Sequence, residues 1–568
     1  MYHNEWKVSI IEHVTIPVGI DSFDKLRTNG CYYVDKTGFI EELLDDKFEV
    51  NLITRPRRFG KTLNMSMLAA FFDIRKNSKA IFDGLKISGN KSLCDEWMNQ
   101  WPILFLTLKS VEGLDFDSAY AMLAAVISDI CIANYDLLQS HEINEIDKRL
   151  FMRLAEKTAS SEEIKNSLYV LSRMMRTHYG KPVILLIDEY DVPLAGASER
   201  AYYMPMLDLI KGLLGKALKG NESLKFAVIT GCLRIAKESI FTGTNNFVSN
   251  SISNERYGEY FGFTEIEVAE MLLDMGFADR SDVVKNWYDG YRFGSTEIYC
   301  PWDVLNYIID LQVSPNAKPG NYWKNTSHNG IIRSFIDRTD LMVNEKFEIL
   351  LSGGYIKEVI SEDLTYDVLH SSESNLWSIL YLTGYLTQTI PIENKESPPS
   401  SNEVFLKIPN EEIKNTFAET VAVWFSETVQ TLDRGKLFEA FWNGNDEKAS
   451  RMVTDILFDT ISYYDYKEDY YHAFLAGLFS GAGYAVESNK EYGLGRPDIV
   501  IRDRKNRRVI IIEVKHSRTN ADFEKDCETA LDQIDVKSYA QQFLKGYHTI
   551  LCYGVAFCDK ECMIKATV

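Results

Sequence analysis

The sequence lacks the features that would place the protein in a membrane or outside the cell. No apolar run approaches the roughly 18 residues that span a bilayer, and the opening residues MYHNEW do not form a signal-peptide pattern. The nine cysteines are an odd number without paired spacing, which argues against a disulfide framework. We therefore expect a cytoplasmic protein with reduced thiols and no membrane partner.

Positive charge is also scarce overall. The chain has 62 Lys and Arg against 82 Asp and Glu, a net charge of -20. Binding to nucleic acid depends on Lys and Arg that replace counterions on phosphates, so this protein does not coat nucleic acid with its whole surface. Residues 495–520 reverse the balance, with eight Lys and Arg against three acids. A solvated turn explains that local excess as well as a phosphate-binding surface does.

Length and composition indicate several ordinary globular domains. A chain of 568 residues with 45% hydrophobic and 25% charged residues should form about three domains. We predict an α/β domain at 1–265, a mostly helical region at 266–454 and a second α/β domain at 455–568. A helix followed by a hairpin near 376–408 is either a winged-helix wing or a plain hairpin with a flexible tip.

Apolar strands alternate with helical segments through the first 265 residues, the pattern of a parallel sheet covered on both faces. The candidate strands are 50–54, 103–108, 183–187, 226–230 and 248–252.

A phosphate-binding loop is predicted between the first strand and a helix. Residues 54–62 read TRPRRFGKT, in which Gly60 permits close backbone approach, Lys61 can reach the β- and γ-phosphates and Thr62 can ligate Mg²⁺. The helix that follows would point its amides at the anion. The general pattern requires glycine at 55, where this chain has Arg55.

A second half of the site follows from the buried strand 183–187. It ends in Asp188 and Glu189, and acids at the end of such a strand suit an Asp that orients Mg²⁺ and a Glu that activates water. Thr230 closes another strand as a candidate sensor of the γ-phosphate. Arg234 could stabilise transition-state charge in its own subunit or across an interface of a homo-oligomer, or simply pair with Asp191 or Glu238 at the surface.

The last quarter of the chain holds a third constellation. Asp498 follows GRP at 495–497, and Glu513 and Lys515 follow the apolar run 509–512. Two adjacent antiparallel strands would bring both carboxylates and the ammonium to one point. Carboxylates can hold Mg²⁺ there, and the lysine can orient water or neutralise charge on a phosphate. An edge hairpin with ordinary surface charges is the alternative.

The order helix, strand, strand, helix, strand around these residues resembles the PD-(D/E)XK nuclease core. The resemblance implies that Asp498 and Glu513 bind metal and that Lys515 serves catalysis. It also implies that Glu468 on a preceding helix, and Gln533 and Tyr539 on a later one, complete the site.

The chain as a whole resembles the bacterial AAA-ATPase-like proteins fused to a C-terminal PD-(D/E)XK nuclease domain. The motifs that carry this likeness are 55–62, 187–191, 230–231, 288–291, 16–23 and 33–37. In that family an arginine commonly replaces the first loop glycine. The resemblance implies an AAA-type, additional-strand P-loop core whose cofactor-binding residues are Arg55, Arg57, Arg58, Phe59, Gly60, Lys61, Thr62, Asp188 and Thr230.

These patterns together predict an ATP-binding, ATP-hydrolysing protein coupled to a Mg²⁺-dependent nuclease that acts on DNA, with RNA left open. The alternative is a nucleotide-dependent nucleic-acid-binding or sensor protein whose C-terminal domain does not cleave.

Overall fold

The computed structural model describes residues 15–234, 247–323, 346–347, 349–364, 372–391, 403–417, 435–460, 471, 475, 478–479, 484–488, 497–558 and 561–567. The chain divides into two compact units, Met1–Ser327 with Lys357–Lys414 and His328–Ile356 with Asn415–Val568. The domain boundaries at 265 and 454 stay predictions.

A five-stranded parallel sheet forms the centre of the first unit. Its strands are β1 (Val50–Thr54), β2 (Ile103–Thr107), β3 (Val183–Asp188), β4 (Leu224–Gly231) and β5 (Phe247–Asn250). They lie in the order β2-β3-β4-β1-β5. The predicted parallel sheet is confirmed, and β4 lies between β1 and β3, as an additional-strand ATPase core requires.

Ten helices of the first unit belong to this α/β region within the part of the chain that the structure describes. They are α1 (Phe23–Thr28), α2 (Gly38–Asp46), α3 (Lys61–Phe72), α4 (Lys79–Phe82), α5 (Lys91–Trp97), α6 (Phe116–Ala133), α7 (Glu145–Ala155), α8 (Ser161–Tyr179), α9 (Val192–Glu199) and α10 (Tyr203–Leu218). Helix α8 begins at a capping box in which Ser160 and Glu163 satisfy each other's backbone amides. One hydrophobic core packs strands β1, β2, β3 and β4 against helices α6, α8 and α10.

Helix α6 is an exception to the expectation that no segment is long and apolar enough to cross a membrane. Among the described helices, it alone satisfies that test of length and composition. Its residues Leu123, Ile127 and Cys131 are fully buried in the core around the sheet. In all, 39% of the helix is buried, and because helices that pack on the core of a protein can pass the same test, one such helix is weak evidence for a membrane span.

The middle of the chain is mostly helical, as predicted. Its helices are α11 (Glu265–Asp274), α12 (Ser281–Tyr288), α13 (Pro301–Val313) and α14 (Glu373–Leu382), with residues 411–417 also helical. Strands β6 (Tyr291–Phe293) and β7 (Thr296–Ile298) form a hairpin. Strands β8 (Ile356–Val359), β9 (Thr387–Thr389) and β10 (Glu403–Lys407) form a sheet in the order β8-β10-β9. The antiparallel pairing of β9 with β10 matches the predicted hairpin.

A mixed five-stranded sheet forms the centre of the second unit. Its strands are β11 (Ala485–Ser488), β12 (Ile499–Asp503), β13 (Arg508–His516), β14 (Thr549–Cys558) and β15 (Glu561–Thr567), in that order. Only β13 and β14 are parallel. Helices α15 (Gly435–Trp442) and α16 (Asp446–Thr460) contribute to the core on one face, and α17 (Phe523–Val536) covers the other. This is the α/β arrangement that the sequence predicts.

All nine cysteines are free, and seven of them are buried. The prediction of reduced thiols agrees with this arrangement. Burial raises the pKa of Cys131 and of Cys562 to about 12, so both thiols stay protonated and unreactive.

A buried pair of carboxyl groups lies in the middle region of the first unit. Asp303 on α13 and Glu412 are both fully buried, and the backbone amide of Trp323 donates to Glu412 Oε1 at 2.7 Å. Burial raises the pKa of Glu412, and the charge of Asp303 raises it further. Burial likewise raises the pKa of Asp303. Two neighbouring carboxyl groups in an apolar interior do not readily ionise together, so we expect the pair to hold a proton at neutral pH.

The substitution Glu412→Gln should flatten the dependence of stability on pH. A raised pKa means that the stabilising contribution of protonated Glu412 is complete below about pH 4.3, the pKa of an unfolded glutamate, and is lost as the pH rises toward the folded pKa. Urea unfolding from pH 5 to pH 9, followed by tryptophan fluorescence, measures the difference. The matched control is Glu411→Gln, at the half-buried neighbouring position. A curve for Glu412→Gln as steep as that of the wild type would contradict the shared proton.

Candidate functional site

The loop between β1 and α3 takes the shape of a phosphate-binding turn. Arg58 and Gly60 have positive φ angles of 73° and 81°. Helix α3 starts directly afterwards, where the amide of Asn64 donates to the carbonyl of Gly60 at 3.0 Å. The first amides of α3 therefore remain available beside the loop, and a helix N-terminus with free amides favours an anion.

The ammonium of Lys61 lies inside the loop. Its Nζ donates to the carbonyl oxygens of Arg55 at 3.0 Å and Pro56 at 2.9 Å. Burial by itself lowers the pKa of Lys61, but the surrounding Cys232, Glu189, Asp191 and Asp188 more than offset that effect and the pKa is raised. Lys61 is thus a buried, fully charged cation within the predicted phosphate loop.

Asp188 connects three elements of the site. The hydroxyl of Thr62 on α3 donates to Asp188 Oδ2 at 2.8 Å, and the hydroxyl of Thr230 on β4 donates to Asp188 Oδ1 at 2.5 Å. Because β4 lies between β1 and β3, Thr230 at the end of β4 and Thr62 after β1 both reach the carboxylate at the end of β3. The donor set of a carboxylate and hydroxyls consists of hard oxygen ligands, which fits Mg²⁺. Burial raises the pKa of Asp188, while the two hydrogen bonds oppose that shift.

Glu189 follows in a strained backbone conformation. Its φ angle of 57° is in the left-handed region, where a residue with a side chain is uncommon and where functional residues concentrate. The turn is fixed by two neighbours: Tyr190 donates from its hydroxyl to the carbonyl of Leu233 at 2.7 Å, and Asp191 Oδ2 accepts the amides of Cys232 and Leu233 at 3.0 Å. Glu189 is therefore held at the end of β3, next to Asp188.

The side chains of Arg55 and Phe59, which the sequence predicts to bind the cofactor, are used in packing instead. The guanidinium of Arg55 is fully buried and donates to the carbonyls of Thr54 and Asn250 at 2.9 Å, so it fastens the loop to β5. Burial lowers the pKa of Arg55 to about 9, which leaves it charged at neutral pH. The ring of Phe59 is buried against Tyr291 at 4.9 Å between centroids. Their backbone, not their side chains, therefore lines the loop, because both side chains are used in packing.

The structure also describes the positions of Arg57, Arg58 and Arg234. Arg58 lies over the ring of Trp302 at 4.1 Å, a cation–π contact that fixes the loop from outside. Arg57 is half-buried in the turn. Arg234 Nε is 3.1 Å from Asp363 Oδ1. Pairing of Arg234 with Asp191 or Glu238 stays a prediction, and Glu238 lies outside the described residues.

The second site lies beside the first residue of β12 and the second half of β13, which run antiparallel. In the antiparallel register Ile499 pairs with Ile512, so Asp498 and Glu513 are opposite each other and Lys515 shares the face of Glu513. The amide of Val514 donates to Asp498 Oδ2 at 2.8 Å, and Lys515 Nζ is 3.5 Å from Glu513 Oε1. The structure therefore brings the three predicted residues together.

Glu513 has the environment of a metal-binding carboxylate. It is 2% exposed, and its Oε2 atom is buried without a hydrogen-bond partner in the described part of the chain. Gln533 on α17 donates from Nε2 to Oε1. Burial raises the pKa of Glu513 to about 7, the charge of Asp498 adds to the effect, and Lys515 opposes it. A buried acceptor of this kind fits a divalent cation, which would supply the missing partner.

The described residues do not supply a third carboxylate to this site. No group of three His, Cys, Asp or Glu side chains that could hold a metal occurs within the ranges that the structure describes. Glu468, the predicted additional ligand, lies outside them. Tyr539 is buried in the apolar cluster with Val500, Val509 and Ile534. The same cluster includes Ile511, two residues before Glu513 on β13, and the contribution of Tyr539 to the site stays a prediction.

Sequence reasoning missed residues that support these sites. Trp302 and Asp363 are far from the motifs in sequence, and no local pattern connects them to Arg58 or Arg234. Asp191 belongs to the motif 183–191, but its contacts with two amides after β4 depend on the pairing of β3 with β4. The spacing of the motif offers no signal for that contact.

Comparison with known protein families agrees with both halves of this geometry. Residues 17–241 match the family model described as "Predicted AAA-ATPase", and residues 466–567 match that of the PD-(D/E)XK nuclease superfamily. The chain therefore carries an AAA-ATPase-like domain followed by a PD-(D/E)XK nuclease-like domain, which confirms the resemblance seen in the sequence.

A relative is similar over nearly the whole length. The chain is 24% identical over 554 residues to a protein of Azotobacter chroococcum mcd 1 described as "Uncharacterized protein in vnfD 5'region". The similarity covers 95% of this chain and 96% of that protein, so it spans both domains of this chain.

Binding of Mg²⁺ at Glu513 should depend on pH because the carboxylate must lose its proton first. With a pKa of about 7, the dissociation constant should fall about tenfold per pH unit below pH 7 and level off above it. Calorimetric titration without nucleotide, from pH 5.5 to pH 8.5, measures this profile. Glu513→Gln should abolish it, and Glu528→Gln on the exposed face of α17 is the control. Affinity that is flat with pH would exclude Glu513 as a ligand.

Proposed function

We propose that the AAA-ATPase-like domain binds and hydrolyses ATP. The observation that carries this proposal is Asp188, whose carboxylate accepts hydroxyls from Thr62 at the phosphate loop and Thr230 at the sensor strand. These three residues come from α3, β3 and β4, and a purely structural contact would not need two hydroxyls on one buried acid beside a buried lysine.

Each residue of the ATP site has a separate role in this proposal. Lys61 and the first amides of α3 bind the phosphates, and Thr62 with Asp188 would hold Mg²⁺. Mg²⁺ would neutralise charge on the β- and γ-phosphate oxygens. Glu189 accepts a proton from the attacking water, and Thr230 keeps Asp188 oriented. Arg234 remains a candidate for stabilising transition-state charge, after release from Asp363, in its own subunit or across a homo-oligomer interface.

We further propose that the C-terminal domain is a Mg²⁺-dependent phosphodiesterase that acts on DNA. Asp498 and Glu513 would hold the metal ion, which would activate water and stabilise charge on the phosphate. Lys515 is placed to orient the water or to neutralise the developing charge. The support is the buried Glu513 oxygen without a hydrogen-bond partner among the described residues, together with a lysine on the same face.

ATP turnover would regulate cleavage in this proposal. The support is that the chain has two candidate sites with the carboxylates and lysines that metal and phosphate binding require, and that the similarity to the Azotobacter relative covers 95% of this chain. Nucleotide-dependent control requires that ATP changes the population of a cleaving conformation.

Glu189→Gln should bind ATP and lose turnover by about 10² to 10⁴, the usual contribution of a positioned general base. Lys61→Ala should lose nucleotide binding, because the phosphates lose their cation. Phosphate release and fluorescent-nucleotide titration measure the two effects, with Glu199→Gln on the exposed end of α9 as the control. Wild-type turnover in Glu189→Gln would remove Glu189 from catalysis. Turnover per subunit that rises with protein concentration would support an oligomeric site.

Purified protein should cut DNA only with Mg²⁺, and Lys515→Ala should reduce the rate about 10²-fold or more. Supercoiled, linear and single-stranded DNA, with RNA as a separate arm, should be compared with and without ATP. Lys525→Ala, on the exposed face of α17, controls for loss of a positive charge. If no substrate is cut and Lys515→Ala behaves like the wild type, cleavage is wrong.

A second candidate function is nucleic-acid binding without cleavage. It is favoured by the absence of a third carboxylate among the described residues of the site. Gel shifts that persist in Asp498→Ala, with no metal-dependent cutting by the wild type, would establish it.

A further inference from the structure

The turn between β12 and β13 is rigid and strongly basic. Asp503 accepts the amide of Asn506 at 3.1 Å and its side-chain amide at 2.7 Å, which closes the turn. Arg507 has a φ angle of 49°, and its carbonyl accepts the amide of His548 at 2.7 Å. The backbone of the turn is thus anchored at both ends, and the side chains on it project from a fixed support.

Basic residues around this turn fall into two groups. Arg502 pairs with Glu487 at 3.0 Å, and Arg508 pairs with Asp503 at 2.8 Å and lies over Trp442 at 4.2 Å. These arginines hold the sheet together. The second group, called here the basic turn, consists of exposed residues that have no ion pair in the described part of the chain: Arg504, Lys505, Arg507 and Lys545. Arg507 Nε donates to the carbonyl of Gly546 at 3.3 Å, which brings the segment with Lys545 to the turn.

Four converging cations are unusual in a chain with a net charge of -20. Like charges on one turn repel one another, and the single acid within it, Asp503, is already bound to Arg508 and Asn506. Such a cluster gains free energy when a polyanion replaces its counterions. We propose that the basic turn binds the phosphodiester backbone of a nucleic acid. This inference deepens the proposed nuclease function, because it adds a surface away from the metal site.

The position of the basic turn sets which part of the substrate it contacts. Arg508 is the first residue of β13, and Glu513 lies five residues further along the same strand. A strand rises about 3.3 Å per residue, so the basic turn is about 17 Å from the metal site along the strand. That distance corresponds to about five base pairs of duplex at about 3.4 Å each. The basic turn therefore holds the backbone on one side of the scissile phosphate.

The test compares two triple variants of the full chain. Arg504→Gln, Lys505→Gln and Arg507→Gln together remove the positive charge from the turn. Lys448→Gln, Arg451→Gln and Lys525→Gln remove the same charge from exposed positions on α16 and α17. Fluorescence anisotropy with a 30-base-pair duplex DNA, without divalent metal, measures Kd from 50 to 300 mM KCl. Separate arms use duplex RNA and anionic phospholipid vesicles.

The basic-turn variant should weaken DNA binding about tenfold or more and lower the slope of log K against log salt by about 2 to 3, since each lost phosphate contact contributes about 0.9. The control variant should keep the wild-type slope.

Unchanged Kd and slope in the basic-turn variant would overturn the proposal, as would an equal loss in the control variant. Binding of vesicles but not of nucleic acid would also overturn it. Tighter binding to RNA than to DNA, with the same dependence on the turn, supports it and identifies the source of the phosphates.

Cleavage assays separate this proposal from the proposed function. If binding depends on the basic turn but Mg²⁺ produces no cutting, the surface stands and the nuclease is wrong. If DNA is cut and the basic-turn variant keeps the wild-type KM and kcat, the nuclease stands and the surface is wrong. A raised KM with unchanged kcat is the result expected when both are right.

Discussion

Both candidate sites depend on the cost of burying a carboxylate. Asp188 ends the buried strand β3, and Glu513 follows the apolar stretch of β13. An ionised carboxylate in such a place is unstable unless hydroxyls, amides or cations surround it. At Asp188 two threonine hydroxyls meet this need, and at Glu513 a glutamine and a lysine meet it in part. The remaining acceptor capacity explains why each position suits a divalent cation.

The same constraint explains the arrangement around the phosphate loop. Lys61 is a buried cation that turns its charge toward loop carbonyls, and Arg55 does so beneath the loop. The rings of Phe59 and Trp302 surround the loop, so its backbone is held from below and from outside. A loop fixed in this way can present amides to a phosphate without reorganising, which is the main source of stabilisation in phosphoryl transfer.

Much of the fold could be predicted from the sequence because its strands are short apolar runs with clear ends. Both ends of each of the five strands lie within two residues of their predicted positions, and the motif residues Thr62, Asp188 and Thr230 meet as expected. Side-chain roles were harder to predict. Arg55 and Arg58 belong to one motif, yet one is buried against β5 and the other stacks on Trp302, which lies more than two hundred residues away. Local spacing carries no information about such partners.

The eight basic residues within 495–520 show the same division. Their number was visible in the sequence, but it did not distinguish Arg502 and Arg508, which pair with acids, from Arg504, Lys505 and Arg507, which project from the turn. By itself, the sequence determined the two domain classes, the strand positions and the identity of the acids and lysines, because hydrophobic periodicity and short motifs are local properties. The tertiary structure alone decided strand order, register and burial, which bring distant residues within hydrogen-bonding distance and decide which charges are left to meet a ligand.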